Sequence, residues 1–393
     1  MSSLSRRQAL TRIAQAAGAA SLASLLSPAN LLFAAAAGAP QARRNDLPTG
    51  EENASMFRIG RNFLGQFFAP ALSVAIVRDS KFVYERPWGM ADTKQHVECS
   101  NTSLFRIASV TKPITSVAIF TLLEQGKLNL NDKVFGPSGI LADDYGKTFR
   151  QYVTDVTVDH LLTHTSGGWP NDDTDPMFHN NSWDHKKLIT ESIATLPLTY
   201  VPGTHWAYSN FGYCILGRVI EKLTVQTYEQ YIKDNILRRC DLTDMRIAGN
   251  TLEDRATNEV KYYDRTGRDP YGMNVARMDS HGGWIATPSD LTAFFVHIDG
   301  FKHTEQLLSD DTLRRMTSPT TANSHYAKGL FVNPQNNWWH GGSLPGTATI
   351  SVRTHSDFCW SVFTNTQSKF GDMASALDRL PWHMVASVAD WHP

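Results

Sequence analysis

The chain has 393 residues, 41% of them hydrophobic, which is enough for a substantial core and for two or three domain-sized units. Its formal net charge is -1 and no long run of one sign occurs, which excludes the electrostatic footprint of a nucleic-acid or anionic-membrane binder.

In chain order, Ser5-Arg6-Arg7-Gln8-Ala9-Leu10 precedes a weakly apolar, alanine-rich stretch that ends in small residues around Ala34-Ala35-Ala36-Ala37-Gly38-Ala39. This is the pattern of a twin-arginine export signal, so residues 1–40 are set apart from the fold and the expected location is periplasmic or secreted. Residues 41–56 read as a polar leader. No later run approaches membrane-spanning length, so no stable membrane span is expected once the signal is removed.

Ala71-Leu72-Ser73-Val74-Ala75-Ile76-Val77, a turn at Asp79-Ser80-Lys81 and Phe82-Val83-Tyr84-Glu85 predict a hairpin. Thr347-Ala348-Thr349-Ile350-Ser351-Val352-Arg353 and Phe358-Cys359-Trp360-Ser361-Val362-Phe363 predict a second around Ser356-Asp357. Two hairpins from opposite ends of the chain imply one antiparallel sheet. Helices are predicted from Val110 to Gln125, Asn210 to Leu223, Tyr228 to Leu237, Ser289 to Ile298 and Asp372 to Val388. The expected class is α+β: a sandwich of an antiparallel sheet flanked by helices, built from residues 57–130 and 280–393. A mainly helical second domain at 131–279 completes it, with a catalytic cleft at the junction.

Cys99, Cys214, Cys240 and Cys359 are scattered and read as free core thiols. His160 and His164 are four apart, but Leu161 stands where the HExxH metal motif needs glutamate, so neither metal nor cofactor is expected.

In Ser109-Val110-Thr111-Lys112-Pro113-Ile114 a proline opens an apolar run. If the helix starts at Val110, Pro113 is its fourth residue, where a missing N–H removes no intrahelical bond. Ser109 then sits at the N-cap, where the helix dipole favours negative charge, and Lys112 reaches it from one turn on. An SxxK match alone arises about once or twice by chance in a chain this long, so the surrounding motifs have to carry it.

Those motifs follow in order: Phe105-Arg106-Ile107-Ala108-Ser109-Val110-Thr111-Lys112, Leu161-Leu162-Thr163-His164-Thr165-Ser166-Gly167-Gly168, Tyr208-Ser209-Asn210, Gly282-Gly283-Trp284 and His340-Gly341-Gly342-Ser343. From about residue 57 to residue 370 the chain resembles the serine β-lactamases and penicillin-recognising D,D-peptidases, most closely the class C β-lactamase and related esterase branch. The resemblance implies a serine hydrolase acting through an acyl-enzyme on Ser109. Lys112 and Tyr208 would share the proton-acceptor role: a buried cation lowers a tyrosine pKa, while desolvation and neighbouring positive charge lower that of a lysine, so the residues alone leave open which holds the proton. Resemblance to class C enzymes favours Tyr208 with Lys112 in support. It also implies that Asn210 holds the lysine and the substrate amide, and that the N–H groups of Ser109 and Ser343 form the oxyanion hole beside Gly342.

His340 stands where β-lactamases carry a lysine, so a permanent cation is absent and small esters, amides or peptides are the expected substrates. Alternatives are a true β-lactamase or cell-wall D,D-peptidase, and a non-catalytic binding protein on the same fold. His340 rather than His281 is assigned to the cleft. Asp172 falls near a substrate-contacting position of the family, and Trp169, Trp206, Trp284, Trp338 and Trp339 are candidates for an apolar wall.

Overall fold

The computed structural model describes residues 48–389 and Trp391; the expected export signal and residues 41–47 of the leader lie outside them. The first described element is a helix, α1 (Gly50–Phe67), where the sequence reads as leader up to residue 56. Its start is set by a capping box: Glu52 N–H donates to the Thr49 hydroxyl, and the Thr49 N–H donates to the Glu52 carboxylate at 2.8 Å. Apart from Gly60, its buried apolar residues are Met56, Phe63 and Phe67, too thin a stripe to stand out from a polar segment.

The main sheet has seven strands: β1 (Ala71–Arg78), β2 (Lys81–Asp92), β3 (Val97–Glu98), β4 (Phe331–Val332), β5 (Trp338–Leu344), β6 (Thr347–Arg353) and β7 (Phe358–Thr364). Their spatial order is β3-β2-β1-β7-β6-β5-β4, with every pairing antiparallel. The two expected hairpins meet in the middle of this sheet, where Leu72 lies opposite Thr364 and Arg78 opposite Phe358.

The remaining helices are α2 (Thr111–Glu124), α3 (Val158–Leu162), α4 (His185–Thr195), α5 (Asn210–Thr224), α6 (Tyr228–Asn235), α7 (Pro288–Val296), α8 (Asp310–Thr317) and α9 (Met373–Ala386). Period-two alternation divides the core between the two faces of the sheet. Leu72, Val74, Ile76, Trp360 and Val362 pack with Met56 and Phe63 of α1 and Leu377 and Met384 of α9. Ala71, Val77, Cys359 and Phe363 face the other way, toward Phe294 and Phe295 of α7. That second core continues through α2 into α3–α6, so α2 is buried on all sides from Thr111 to Leu122. A helix apolar or small all round, rather than along one stripe, is what a position inside the molecule requires. Its N-terminus is thereby held between the sheet and the helical region.

Trp360 is fully buried in β7 with its ring 4.7 Å from that of Trp382 on α9. Trp360→Ala is expected to lower stability by about 3–5 kcal/mol, read as a drop in the urea midpoint without loss of the m-value.

Candidate active site

Ser109 lies in a tight 3-10 turn, Ala108–Val110, that leads directly into α2. The helix begins at Thr111, so Pro113 is its third residue, and the lost N–H is still one that no helical carbonyl would accept. The N-cap is Val110 rather than Ser109, and no side chain caps this helix. The extra turn displaces the serine one step outward, which frees its hydroxyl from capping. Ala108, immediately before it, has a φ of +48°, a left-handed conformation that strains a residue with a Cβ and bends the chain at this point. Of the described residues from Ser103 to Leu122, Ser109 alone is not buried.

Lys112 is completely buried. Its amine is surrounded by three oxygens: Asn210 Oδ1 at 2.8 Å, the His281 carbonyl at 3.1 Å and Ser109 Oγ at 3.3 Å. Burial pushes the pKa of Lys112 well below the ordinary lysine range, and the Asp175 carboxylate pulls it partly back up. The amine also lies 4.7 Å from the centre of the Tyr208 ring.

Asn210 is the first residue of α5, and Ser209 caps that helix by accepting the Gly212 N–H at 3.0 Å. With the cap supplied by its neighbour, the Asn210 amide is free to bridge. Its oxygen takes a hydrogen from Lys112, while its nitrogen donates to Asp175 Oδ2 at 2.8 Å and to Asn171 Oδ1 at 3.0 Å. Asp175 is fully buried, also accepts the Met177 N–H at 2.9 Å, and has its pKa raised by burial to about 6.

Tyr208 is half-buried, but its hydroxyl is shielded from solvent and makes no close hydrogen bond among the described residues. Burial raises its pKa far more than the nearby Ser109 hydroxyl lowers it. The sequence left open which of Lys112 and Tyr208 holds the proton; the enclosure of the Tyr208 hydroxyl favours its protonated form.

Strand β5 forms the opposite wall. A Cβ on Gly342 would lie 2.3 Å from the Ile107 carbonyl oxygen and 2.4 Å from Thr349 Oγ1, so only glycine lets the strand come this close to the turn before Ser109. Thr349 and Thr347 of β6 reach across it, donating to the carbonyls of Ile107 at 2.8 Å and Arg106 at 3.1 Å. Leu344 faces Thr347 at the closing pair of the β5–β6 hairpin, so Ser343, opposite Ala348, occupies a pair that exchanges no hydrogen bonds. Its N–H therefore points away from β6, and within β5 the pairing with β4 involves Trp338 and Trp339, not Ser343.

The fold thus gathers Ser109, Lys112, Tyr208, Asn210, His340, Gly342 and Ser343. His340 is fully buried, its Nδ1 2.7 Å from the Gly341 carbonyl, and burial together with Lys112 holds its pKa at about 3, so it is neutral. Asp172 is not brought to Lys112: it is exposed and accepts from the Thr174 N–H and hydroxyl at 2.8 and 2.6 Å. Asp175, three residues on, is the carboxylate that reaches the site, and nothing in its spacing announced it. His281 was also missed, since it contributes a backbone carbonyl rather than a side chain. The tryptophans are mainly core: Trp169, Trp284, Trp338 and Trp339 are buried, and Trp206 alone of the five is half-exposed, with its ring 6.4 Å from Tyr208. His160 Nδ1 accepts the Thr157 N–H at 3.2 Å and so caps α3.

Residues 61–380 match the Beta-lactamase family, which is more than half of the chain. The chain belongs to that family. Its members are serine hydrolases, and the assembly around Ser109 lies within the matched span. Protein flp of Staphylococcus aureus (strain MRSA252) is 26% identical over 310 residues, covering 77% of this chain and 60% of the relative. The chain therefore spans about three-fifths of the length of that relative. Among solved structures, D-amino acid amidase from Ochrobactrum anthropi SV3 superposes with a TM-score of 0.71 at 19% identity, covering 86% of this chain and 98% of the amidase. EstCE1, a hydrolase with promiscuous acyltransferase activity, gives a TM-score of 0.69 at 18% identity over 86% and 98% of the two chains. These two likenesses establish the β-lactamase-like fold.

Gly342→Ala is expected to push β5 off the Ser109 turn. The overpacking should cost about 1–3 kcal/mol and lower ester hydrolysis at least tenfold, read by thermal melting beside a nitrophenyl-ester assay.

Proposed function

We propose that this protein hydrolyses a carboxylic ester or amide through an acyl-enzyme on Ser109. The observation that carries this is the buried Lys112 amine 3.3 Å from Ser109 Oγ, with Asn210 Oδ1 and the His281 carbonyl as its other partners. Asn210 Oδ1 and the His281 carbonyl only accept, so they take two N–H bonds from the amine. In the neutral amine these are its only two hydrogens, and the lone pair is left facing Ser109 Oγ at 3.3 Å. A lysine kept neutral by burial is the base that the serine needs.

In the first step Lys112 takes the Ser109 proton while Oγ bonds to the substrate carbonyl carbon. The resulting oxyanion would be met by the N–H groups of Ser109 and Ser343. Collapse breaks the bond to the alcohol or amine, and that leaving group takes a proton from the Tyr208 hydroxyl, which Lys112, now an ammonium, replaces. A water molecule then attacks the acyl-enzyme by the same route in reverse, releasing the acid.

The neutral, enclosed His340 favours substrates without a carboxylate at that end of the cleft, because a neutral imidazole offers such a group no counter-charge. The amidase and EstCE1 likenesses support amide and ester chemistry in the same fold. The twin-arginine pattern supports action outside the cytoplasm, and none of the described helices is long and apolar enough to cross a membrane.

Ser109→Ala should abolish hydrolysis of nitrophenyl esters and labelling by a fluorophosphonate while leaving the melting temperature close to wild type. Retained turnover would sink the assignment. Wild-type enzyme should also cleave such esters faster than a chromogenic cephalosporin; the reverse order would mark it as a β-lactamase.

The pH profile tests the base. Activity needs unprotonated Lys112, so kcat/KM should rise with pH through the depressed lysine pKa. Asp175 raises that pKa, so Asp175→Asn should move the acidic limb to lower pH, and Lys112→Arg, which cannot deprotonate, should be inactive. An unmoved limb in Asp175→Asn would exclude Lys112 as the titrating base.

A further inference from the structure

His164 has no part in the steps above, yet its contacts converge on Tyr208. Its backbone carbonyl accepts the Ala207 N–H at 2.8 Å and its Nδ1 accepts the Ser209 N–H at 3.1 Å, so it grips the chain on both sides of the tyrosine. Its ring lies 4.3 Å from the Tyr208 ring, and its φ of +59° turns the chain to allow both contacts.

The hydrogen positions follow from the partners. A backbone N–H can only donate, so His164 Nδ1 carries a lone pair and the neutral ring has its hydrogen on Nε2, which faces the Tyr326 hydroxyl at 3.0 Å. A carbonyl can only accept, so His340 has its hydrogen on Nδ1 against Gly341 and turns the Nε2 lone pair toward the same Tyr326 hydroxyl at 3.5 Å. Burial holds both imidazoles neutral, and the nearby Lys112 acts in the same direction. The contacts therefore link Ser209 through His164 and Tyr326 to His340, with the Tyr213 hydroxyl a second partner of Tyr326. Tyr326 is fully buried just before β4, so the series ties the segment bearing Tyr208 to strand β5.

We propose that His164 is a positioning residue for Tyr208, and that Tyr326, by joining His164 to His340, holds the Tyr208 hydroxyl aimed at the departing group. This rests on the acyl-transfer reading of the site, in which Tyr208 supplies the leaving-group proton. The consequence is selective. When an alkoxide or amine departs, the breaking C–O or C–N bond gives its electron pair to an atom that must gain a proton. A nitrophenolate leaves as a stable anion and needs none.

The test compares kcat/KM for the ethyl ester and the 4-nitrophenyl ester of the same acid, in wild type, His164→Asn and Tyr326→Phe. Asparagine keeps an acceptor for the Ser209 N–H but cannot reach Tyr326; phenylalanine keeps the Tyr326 ring without its hydroxyl. In each variant the ratio of ethyl to nitrophenyl rate constants should fall by about tenfold or more, and the double variant should fall no further than the worse single one. Equal losses on both esters, as a merely structural role would give, or an unchanged ratio, would overturn the inference while fluorophosphonate labelling of Ser109 remained intact. Failure of the wild type to label would instead remove the acyl-transfer reading, and this proposal with it.

Discussion

A buried amine is the constraint on which the rest of this site depends. Removing an ammonium from water carries a penalty of several kcal/mol, and a protein meets it by neutralising the group or surrounding it with acceptors and counter-charge. Around Lys112 both answers are present: two carbonyl-type oxygens, a hydroxyl and a carboxylate relayed through Asn210. Those partners come from the turn before α2, the start of α5, the segment before α7 and the loop leading to Met177. Seating one amine therefore places four separate parts of the chain. The same burial lowers the lysine pKa, so the feature that organises the site also favours the neutral amine over the ammonium.

A second constraint is steric. The sheet must come near enough to the Ser109 turn for a backbone N–H of β5 to face the same space as the serine. Gly342 supplies that proximity by lacking a side chain, and Thr347 and Thr349 hold it by donating to the Arg106 and Ile107 carbonyls of the turn. Helix α2 runs through the middle of the second core, between the sheet and the helical region, which explains why a helix with a proline in its first turn and little amphipathic character is stable here. Its packing comes from both sides, and its start is fixed by the 3-10 turn rather than by a capping side chain.

The strands of the central sheet were legible because their alternating residues are split between two apolar faces, a pattern that survives without knowledge of the partner strand. Helix α1 was not, since its polar majority hides a stripe that makes sense only against Trp88 and α9. Ser109 and Lys112 were legible through several motifs in order. Asp175 was hidden among neighbouring aspartates; which carboxylate turns inward depends on the fold of residues 171–178 and not on any spacing. Which of Lys112 and Tyr208 holds the proton was left open by the sequence for a related reason. Attraction to a lysine can be inferred from a list of residues, but the desolvation that opposes it requires the packing around the hydroxyl.

The sequence by itself determined the class of the fold, the family and the pair of groups most exposed to chemical interpretation, because these rest on local periodicity and on motifs whose order survives divergence. Tertiary structure decided what surrounds each group. That the Lys112 amine is enclosed by Ser109, Asn210 and the His281 carbonyl, that burial pushes the Tyr208 phenol up and that it holds the His340 imidazole down are all consequences of packing. Packing is a property of residues brought together from far apart in the chain, and no spacing along it encodes it.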